Sequence, residues 1–249
     1  MGGGKRFDKE IMKLQFPKNF LWGSATSAYQ VEGGNHNDWT EWEKKTNHPI
    51  SGRACDHYNR FREDFDIAKS LCHNAHRFSI EWSRIEPEEG KFDEKEIAHY
   101  QEAINALRER GIEPFVTLWH WTLPVWVSQQ GGWENKKTID DFARYCDRIV
   151  RSLKNVAYWI TLNEPEIYTM NSYLRGKWPP QKKSVLKFVR VYKNLAEAHK
   201  RTYTIIKGIS SQPQIGIAKN NSYFEGWLAP VLNYFWNNWF LNKIKNHQD

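Results

Sequence analysis

The chain has 249 residues, of which 40% are hydrophobic and 26% charged, and its formal net charge is +7. This composition is typical of a globular protein with a large core and excludes an intrinsically disordered one. The basic residues are spread along the chain, so binding to nucleic acid is not expected. No run approaches the ~18 apolar residues of a membrane span. The three cysteines form no CxxC pair, which excludes a disulfide framework and favours a cytoplasmic location.

Five short apolar runs are predicted to be buried strands, because turn or breaker residues bound them. They cover residues 20–24, 75–82, 113–120, 157–163 and 214–219. Between them, apolar residues at helical spacing predict helices over 93–110, 138–153 and 185–207, with Gly111 capping the first. Residues 226–249 are rich in aromatic side chains and are also predicted to be helical, with no further strand after them.

This alternation of strands and helices predicts a parallel sheet of the (β/α)8 TIM-barrel type. A complete barrel of this kind needs eight strands, whereas five are predicted here. The chain is therefore expected to supply about the first five βα units of an incomplete barrel. Residues 1–15 are expected to be a flexible N-terminal extension, and residues 16–249 the N-terminal portion of a single barrel.

Polar and aromatic side chains are concentrated near the ends of the predicted strands, which form the functional face of a parallel barrel. They are Trp22 and Gln30 near the first strand, Arg77 in the second, Trp119, His120 and Trp121 at the end of the third, and Asn163 and Glu164 at the end of the fourth. Amides and imidazoles hydrogen-bond to hydroxyl groups, exposed indoles stack on sugar rings, and a glutamate can act as a general acid. Glycoside hydrolysis uses such groups and needs a pair of carboxyl groups.

Each of these residues is also compatible with a structural role. A glutamate after a strand is more often a solvated residue or a charge at a helix start, and His120 could be a satisfied core histidine. Arg77 could form a structural ion pair, and the tryptophans could fill the core. Cys72, His73 and His76 lack the ligand geometry of a metal site, so no metal is predicted.

Four segments, in order and at suitable spacing, resemble the motifs of glycoside hydrolase family 1, the β-glucosidases and β-galactosidases. They are Phe20-Leu-Trp-Gly-Ser-Ala-Thr-Ser-Ala-Tyr-Gln-Val-Glu-Gly-Gly34, Arg77-Phe-Ser-Ile-Glu-Trp-Ser-Arg-Ile85, Thr117-Leu-Trp-His-Trp-Thr-Leu-Pro124 and Thr161-Leu-Asn-Glu-Pro165. The resemblance extends more loosely through Trp178-Pro-Pro180 to the end of the chain. It implies a (β/α)8 barrel and a retaining exo-β-glycosidase that needs no metal or cofactor.

Carried over residue by residue, the resemblance implies that Glu164 is the catalytic acid/base. It implies that Asn163 binds the 2-hydroxyl of the glycon, and that Gln30 and His120 bind the 3- and 4-hydroxyls. Trp121 would line the same subsite, and Arg77 would orient the nucleophile and stabilise its ionised form.

The sequence departs from the family in the second catalytic glutamate, which members carry in a Thr-Glu-Asn-Gly motif near the seventh strand, before a glycon-binding Glu-Trp segment. No Glu-Asn-Gly occurs in these 249 residues. No nucleophile motif surrounds the remaining candidate glutamates, which are Glu32, Glu41, Glu43, Glu81, Glu86 and Glu225. The nucleophile is therefore expected to be absent from this chain.

Two functional interpretations follow. In the first, the chain hydrolyses β-D-glucosides or related β-glycosides only together with a missing C-terminal portion that carries the nucleophile. In the second, it is a non-catalytic barrel fragment that folds or oligomerises and at most binds sugars. In either case a complementary C-terminal fragment or a second copy of the chain is expected to cover the open edge of the barrel.

Overall fold

The computed structural model describes residues 15–245, and one sheet of five parallel strands forms its centre. The strands are β1 (Gly23–Ala25), β2 (Ala75–Ser79), β3 (Glu113–Trp119), β4 (Tyr158–Asn163) and β5 (Gln214–Ala218). Each strand pairs with the next along the chain, in the order β1-β2-β3-β4-β5. The five predicted parallel strands are therefore confirmed. The predicted N-terminal extension lies outside the described residues, apart from its last position.

Strand β1 begins three residues later than predicted because the residues before Gly23 make other contacts. The backbone N–H of Trp22 donates to Oδ1 of Asn74 at 2.6 Å, and the carbonyl of Trp22 accepts from the N–H groups of Asn74 and Ala75. The indole of Trp22 packs on the rings of Phe16 and Phe20. Trp22 therefore precedes the strand, and its side chain is not at the functional end of the sheet.

Helices connect the strands and cover one face of the sheet. They are α1 (Ala28–Val31), α2 (Asp38–Thr46), α3 (His57–Ser70), α4 (Trp82–Ile85), α5 (Glu94–Glu109), α6 (Val125–Gln129), α7 (Lys137–Ser152), α8 (Pro165–Thr169), α9 (Val185–Ile209), α10 (Ala229–Asn233) and α11 (Trp239–Ile244). A 3-10 turn lies at Gly132–Glu134, and π-helical turns lie at Met170–Leu174 and Tyr234–Asn238.

The three predicted helices correspond to α5, α7 and α9, and the segment predicted to be helical over 226–249 is helical from Ala229 to Ile244. Helices α2 and α3 were not predicted. The start of α2 carries a recognisable signal, because Asn37 accepts hydrogen bonds from the N–H groups of Trp39 and Thr40 while the Thr40 hydroxyl accepts from the N–H of Asn37. This reciprocal cap satisfies backbone donors at the helix start.

Alternate side chains of each strand point to opposite faces of the sheet, and the two faces differ in burial. Val116 and Leu118 of β3 point towards the helices and are fully buried with Leu107, Tyr145 and Leu195. On the opposite face, Arg77, Phe115 and Tyr158 occupy matching register positions of β2, β3 and β4 and are half-buried. The rings of Phe115 and Tyr158 stack with centroids 4.1 Å apart.

Candidate active site at the carboxyl ends of the strands

Glu164 occupies the first position after β4 and has a left-handed backbone, with φ of 42°. Pro165 starts α8 immediately afterwards, so the strand cannot continue. The N–H of Glu164 donates to the carbonyl of Ala218 at 2.7 Å, which ties this turn to the end of β5. A non-glycine residue in this conformation costs of order 1–3 kcal/mol and persists where the surrounding structure enforces it. The half-buried carboxyl of Glu164 is thereby held at the end of the sheet.

Asn163, His120 and Trp121 form one hydrogen-bonded cluster next to Glu164. Nδ2 of Asn163 donates to Nε2 of His120 at 3.2 Å, and the indole N–H of Trp121 donates to the carbonyl of Asn163 at 3.0 Å. Nδ1 of His120 is buried and has no hydrogen-bond partner within residues 15–245. The structure therefore brings together three of the predicted site residues.

The environment keeps His120 neutral. Burial, reinforced by the positive charge of Arg77, lowers the pKa of His120 to about 3. A neutral imidazole carries one N–H donor and one acceptor nitrogen. This is the form that exchanges hydrogen bonds with a hydroxyl group without adding charge to the site.

Arg77 extends from β2 on the open face of the sheet, and its guanidinium is half-buried. Burial lowers the pKa of Arg77, and the charge of Glu164 opposes this change. Nε of Arg77 is buried without a hydrogen-bond partner in the described chain. A buried guanidinium normally pairs with a carboxylate, so this arrangement favours a role in which an anion faces Arg77.

Gln30 lies at the same end of the sheet but apart from this cluster. It is an exposed residue of α1, and its Oε1 accepts a hydrogen bond from the Ser27 hydroxyl at 2.7 Å. The N–H of Ala28 donates to the Ser79 hydroxyl at 2.8 Å, which fixes α1 against the end of β2. The predicted residue therefore has a defined position, whereas the described structure does not link it directly to Asn163 or His120.

Trp121 belongs to an aromatic wall that also includes Trp39 and Trp178. The rings of Trp121 and Trp39 are nearly parallel, with centroids 6.3 Å apart, and Trp178 lies 4.6 Å from Trp121. Trp39 and Trp178 were not predicted as site residues, although both stand in polar sequence surroundings. The prediction that Trp119 is an exposed indole is wrong. Its side chain is 1% exposed and packs on Trp133 and Tyr168 in the core.

Three residues that the sequence did not indicate meet beside Glu164: Glu166, Lys219 and Asn220. Nδ2 of Asn220 donates to Oε1 of Glu164 at 3.3 Å. Oε1 of Glu166 accepts from Nζ of Lys219 at 3.2 Å and from the backbone N–H of Asn220 at 2.6 Å. Glu164 and Glu166 lie more than 50 positions before Lys219 and Asn220 in the chain, so no local pattern joins the two pairs.

The family model described as Glycosyl hydrolase family 1 matches residues 12–230. The chain belongs to glycosyl hydrolase family 1. It is 37% identical over 225 residues to Beta-glucosidase A from Acetivibrio thermocellus, covering 86% of this chain and 50% of that relative. It is 38% identical over 223 residues to Beta-glucosidase A from Thermotoga maritima, covering 85% and 50%. The chain thus spans about half the length of the curated relatives it matches.

Solved structures of family members agree with the fold. The beta-glycosidase from Pyrococcus horikoshii matches with a TM-score of 0.87 and 37% identity, covering 92% of this chain and 56% of that one. The beta-glucosidase from Thermotoga maritima in complex with deoxynojirimycin matches with a TM-score of 0.85 and 36% identity, covering 89% and 54%. The predicted family and the barrel-type fold are confirmed.

In this family 1 chain, three of the buried glutamates near the strand ends already have polar partners. Glu32 accepts from Nε of Arg84 at 3.0 Å and from the Tyr100 hydroxyl at 2.8 Å. Glu81 and Glu86 are fully buried, and they accept hydrogen bonds from Thr122 and Arg144 respectively, among other groups. These contacts give the three carboxylates structural roles.

Two further features concern cofactors and membranes. Among residues 15–245, no three His, Cys, Asp or Glu side chains are grouped so that they could hold a metal ion. Over the same part of the chain, every helix is too short or too polar to span a bilayer.

Proposed function

We propose that this chain provides the acid/base side of a retaining β-glycosidase that hydrolyses β-D-glucosides or related β-glycosides. Glu164 protonates the oxygen of the leaving group and later deprotonates the water that releases the glycosyl-enzyme. The position of Glu164 carries the proposal. A half-buried carboxyl stands at the end of β4, next to hydroxyl-binding groups and an aromatic wall.

The neighbouring residues bind the glycon in this proposal. Asn163 and His120 meet hydroxyl groups, and the 3.2 Å hydrogen bond between their side chains supports a joint role. Gln30 contributes a further amide, and Trp121 lines the subsite. Solved structures of the Thermotoga maritima relative in complex with deoxynojirimycin and castanospermine support a small polyhydroxylated ligand.

The nucleophile comes from a C-terminal part of the barrel, either as a continuation of this chain or as a separate chain. Retention requires a second carboxyl group ~5–5.5 Å from the first, and no Glu-Asn-Gly occurs in this sequence. Arg77, whose positive charge lies close enough to Glu164 for the two to interact, orients that nucleophile and stabilises its charge. The same part covers the half-buried face around Phe115 and Tyr158. Residues 16–249 then form one portion of a single barrel, which uses no metal or cofactor.

A second candidate is a non-catalytic fragment that associates with a copy of itself and at most binds sugars. The exposed aromatic residues after β5 favour it, because Tyr223, Trp227 and Phe235 are 86%, 89% and 56% exposed. Apolar patches of this kind commonly mark association surfaces. Sedimentation distinguishes the candidates, since a stable homodimer without turnover supports the second.

The test is hydrolysis of 4-nitrophenyl β-D-glucoside by the purified chain, alone and mixed with the C-terminal half of the Thermotoga maritima relative. We expect turnover in the mixture, and a loss of about 10²–10⁴-fold in Glu164→Gln. Glu225→Gln is the matched control, because Glu225 is exposed and should retain full turnover. Unchanged hydrolysis in a folded Glu164→Gln would contradict the assignment of the acid/base.

A further inference from the structure

The segment that follows β5 is anchored by a buried ion pair. Nζ of Lys219 and Oε1 of Glu166 are 3.2 Å apart, and their side chains are 6% and 3% exposed. Lys219 also donates to the carbonyl of Trp236 at 2.6 Å. The amino group is therefore fixed between the start of α8 and the π-helical turn at Tyr234–Asn238.

Such a pair is a costly way to join two elements. Removing both charges from water costs several kcal/mol per ion, and a hydrophobic pair of similar size often stabilises a fold as well. Burial also raises the pKa of Glu166, although Lys219 opposes this change. The charges are better explained by their effect on the position of Asn220. Oε1 of Glu166 also accepts a hydrogen bond from the backbone N–H of Asn220 at 2.6 Å.

The anchored backbone presents the side chain of Asn220 to the candidate acid/base. Nδ2 of Asn220 donates to Oε1 of Glu164 at 3.3 Å. The backbone N–H of Glu164 donates in turn to Ala218, two residues before Asn220. The carboxyl group of Glu164 and the amide of Asn220 are thus fixed to each other from both sides.

We propose that Asn220 is a positioning residue for Glu164, held in place by the Glu166–Lys219 pair; the inference rests on the proposed function of Glu164. A carboxylic acid carries its proton on one oxygen, and the other oxygen is an acceptor. Because Asn220 donates to Oε1, that oxygen stays the acceptor and the proton resides on Oε2. Asn220 therefore determines which oxygen delivers the proton to the leaving group.

Nuclear magnetic resonance of the chain labelled with ¹⁵N-asparagine tests the contact without any need for turnover. We expect the side-chain amide protons of Asn220 to shift with pH in the unaltered chain, and this shift to disappear in Glu164→Gln. In the double variant Glu166→Gln/Lys219→Met the shift should weaken, because the backbone of Asn220 loses its anchor. A pH-independent Asn220 signal, or a shift that persists in Glu164→Gln, overturns the inference.

Kinetics then test the positioning role. Asn220→Leu keeps the shape of the side chain but removes the donor without adding a charge, and Asn221→Ala is the control at the exposed neighbouring position. We expect Asn220→Leu to slow the hydrolysis of phenyl β-D-glucoside, whose leaving group needs an acid, about tenfold more than that of 2,4-dinitrophenyl β-D-glucoside, whose leaving group does not. Equal losses on both substrates indicate a merely structural residue and overturn the role. If the unaltered chain and its C-terminal complement show no turnover, the proposed function fails, and the resonance titration alone decides whether Asn220 and Glu164 are coupled.

Discussion

Replacing Arg84 with methionine should destabilise the fold by about 3–5 kcal/mol at pH 8, because it removes the charge partner of a buried carboxylate. Nε of Arg84 lies 3.0 Å from Oε2 of Glu32, and the two side chains are 15% and 5% exposed. The guanidinium also donates to the carbonyl of Gly33 at 2.6 Å. Water cannot easily replace these contacts, and Glu32 and Gly33 lie directly after the helix that carries Gln30.

The loss should depend on pH in a defined direction. Burial raises the pKa of Glu32 from 4.5 to about 7, and Arg84 opposes this rise. Between pH 4.5 and 7 the folded chain keeps a proton on Glu32 that the unfolded chain releases, so this contribution to stability falls as the pH rises. Without Arg84 the pKa of Glu32 rises further. The variant should therefore lose more stability at pH 8 than at pH 5, where Glu32 is protonated and needs no cation.

Urea unfolding followed by tryptophan fluorescence at pH 5 and pH 8 measures both effects. Arg62→Met is the matched control, because Arg62 pairs with Glu102 at 3.1 Å while the side chains are 53% and 60% exposed. An exposed pair contributes at most about 1 kcal/mol. Equal losses in the two arginine variants, or a loss at Arg84 that is the same at both pH values, would refute the reasoning.

Three further comparisons test the site and its support. Trp119→Ala should lower the free energy of unfolding by about 3–5 kcal/mol, because the Trp119 indole lies in the core. Trp121 is half-buried, so Trp121→Ala should cost less stability and should mainly weaken glucose binding, which calorimetry measures. Burial lowers the pKa of His120 to about 3 in the folded chain, below the 6.5 of an unfolded chain. Protonation therefore favours unfolding as the pH falls. In urea titrations, the stability advantage of the unaltered chain over His120→Gln should shrink between pH 6.5 and pH 4. Gly33→Ala should lower the free energy of unfolding by at least about 3 kcal/mol, since the added Cβ would lie 2.0 Å from a backbone oxygen. Gly90 has a similar positive φ but open space around it, so Gly90→Ala should lower the same free energy by only about 1–2 kcal/mol.

The fold was predictable where local sequence alone determines structure. Strands β2 to β5 are apolar runs with breakers at both ends, and helices α5, α7 and α9 have continuous apolar faces. Glu164 could be located because Pro165 must end the strand before it. The start of β1 could not be predicted in this way, since hydrogen bonds from Asn74, more than 50 residues away, determine where pairing begins.

Residues that act through long-range contacts escaped prediction for the same reason. Trp119 and Trp121 belong to one motif, yet one lies in the core and the other faces the site, because the chain leaves the strand between them. Asn220 shows no sign of importance in the sequence and matters only through its contact with Glu164, 56 positions earlier.

The polar groups at the strand ends separate into two sets that follow from their different tasks. Glu32, Glu81 and Glu86 are buried and have protein partners, as buried carboxylates must if the fold is to tolerate them. Arg77 and His120 keep buried nitrogens without such partners in the described chain. These are the two residues to which the proposed function assigns partners outside the chain's own contacts, a nucleophile carboxylate for Arg77 and a sugar hydroxyl for His120. The three glutamates, by contrast, are occupied by hydrogen bonds within the chain.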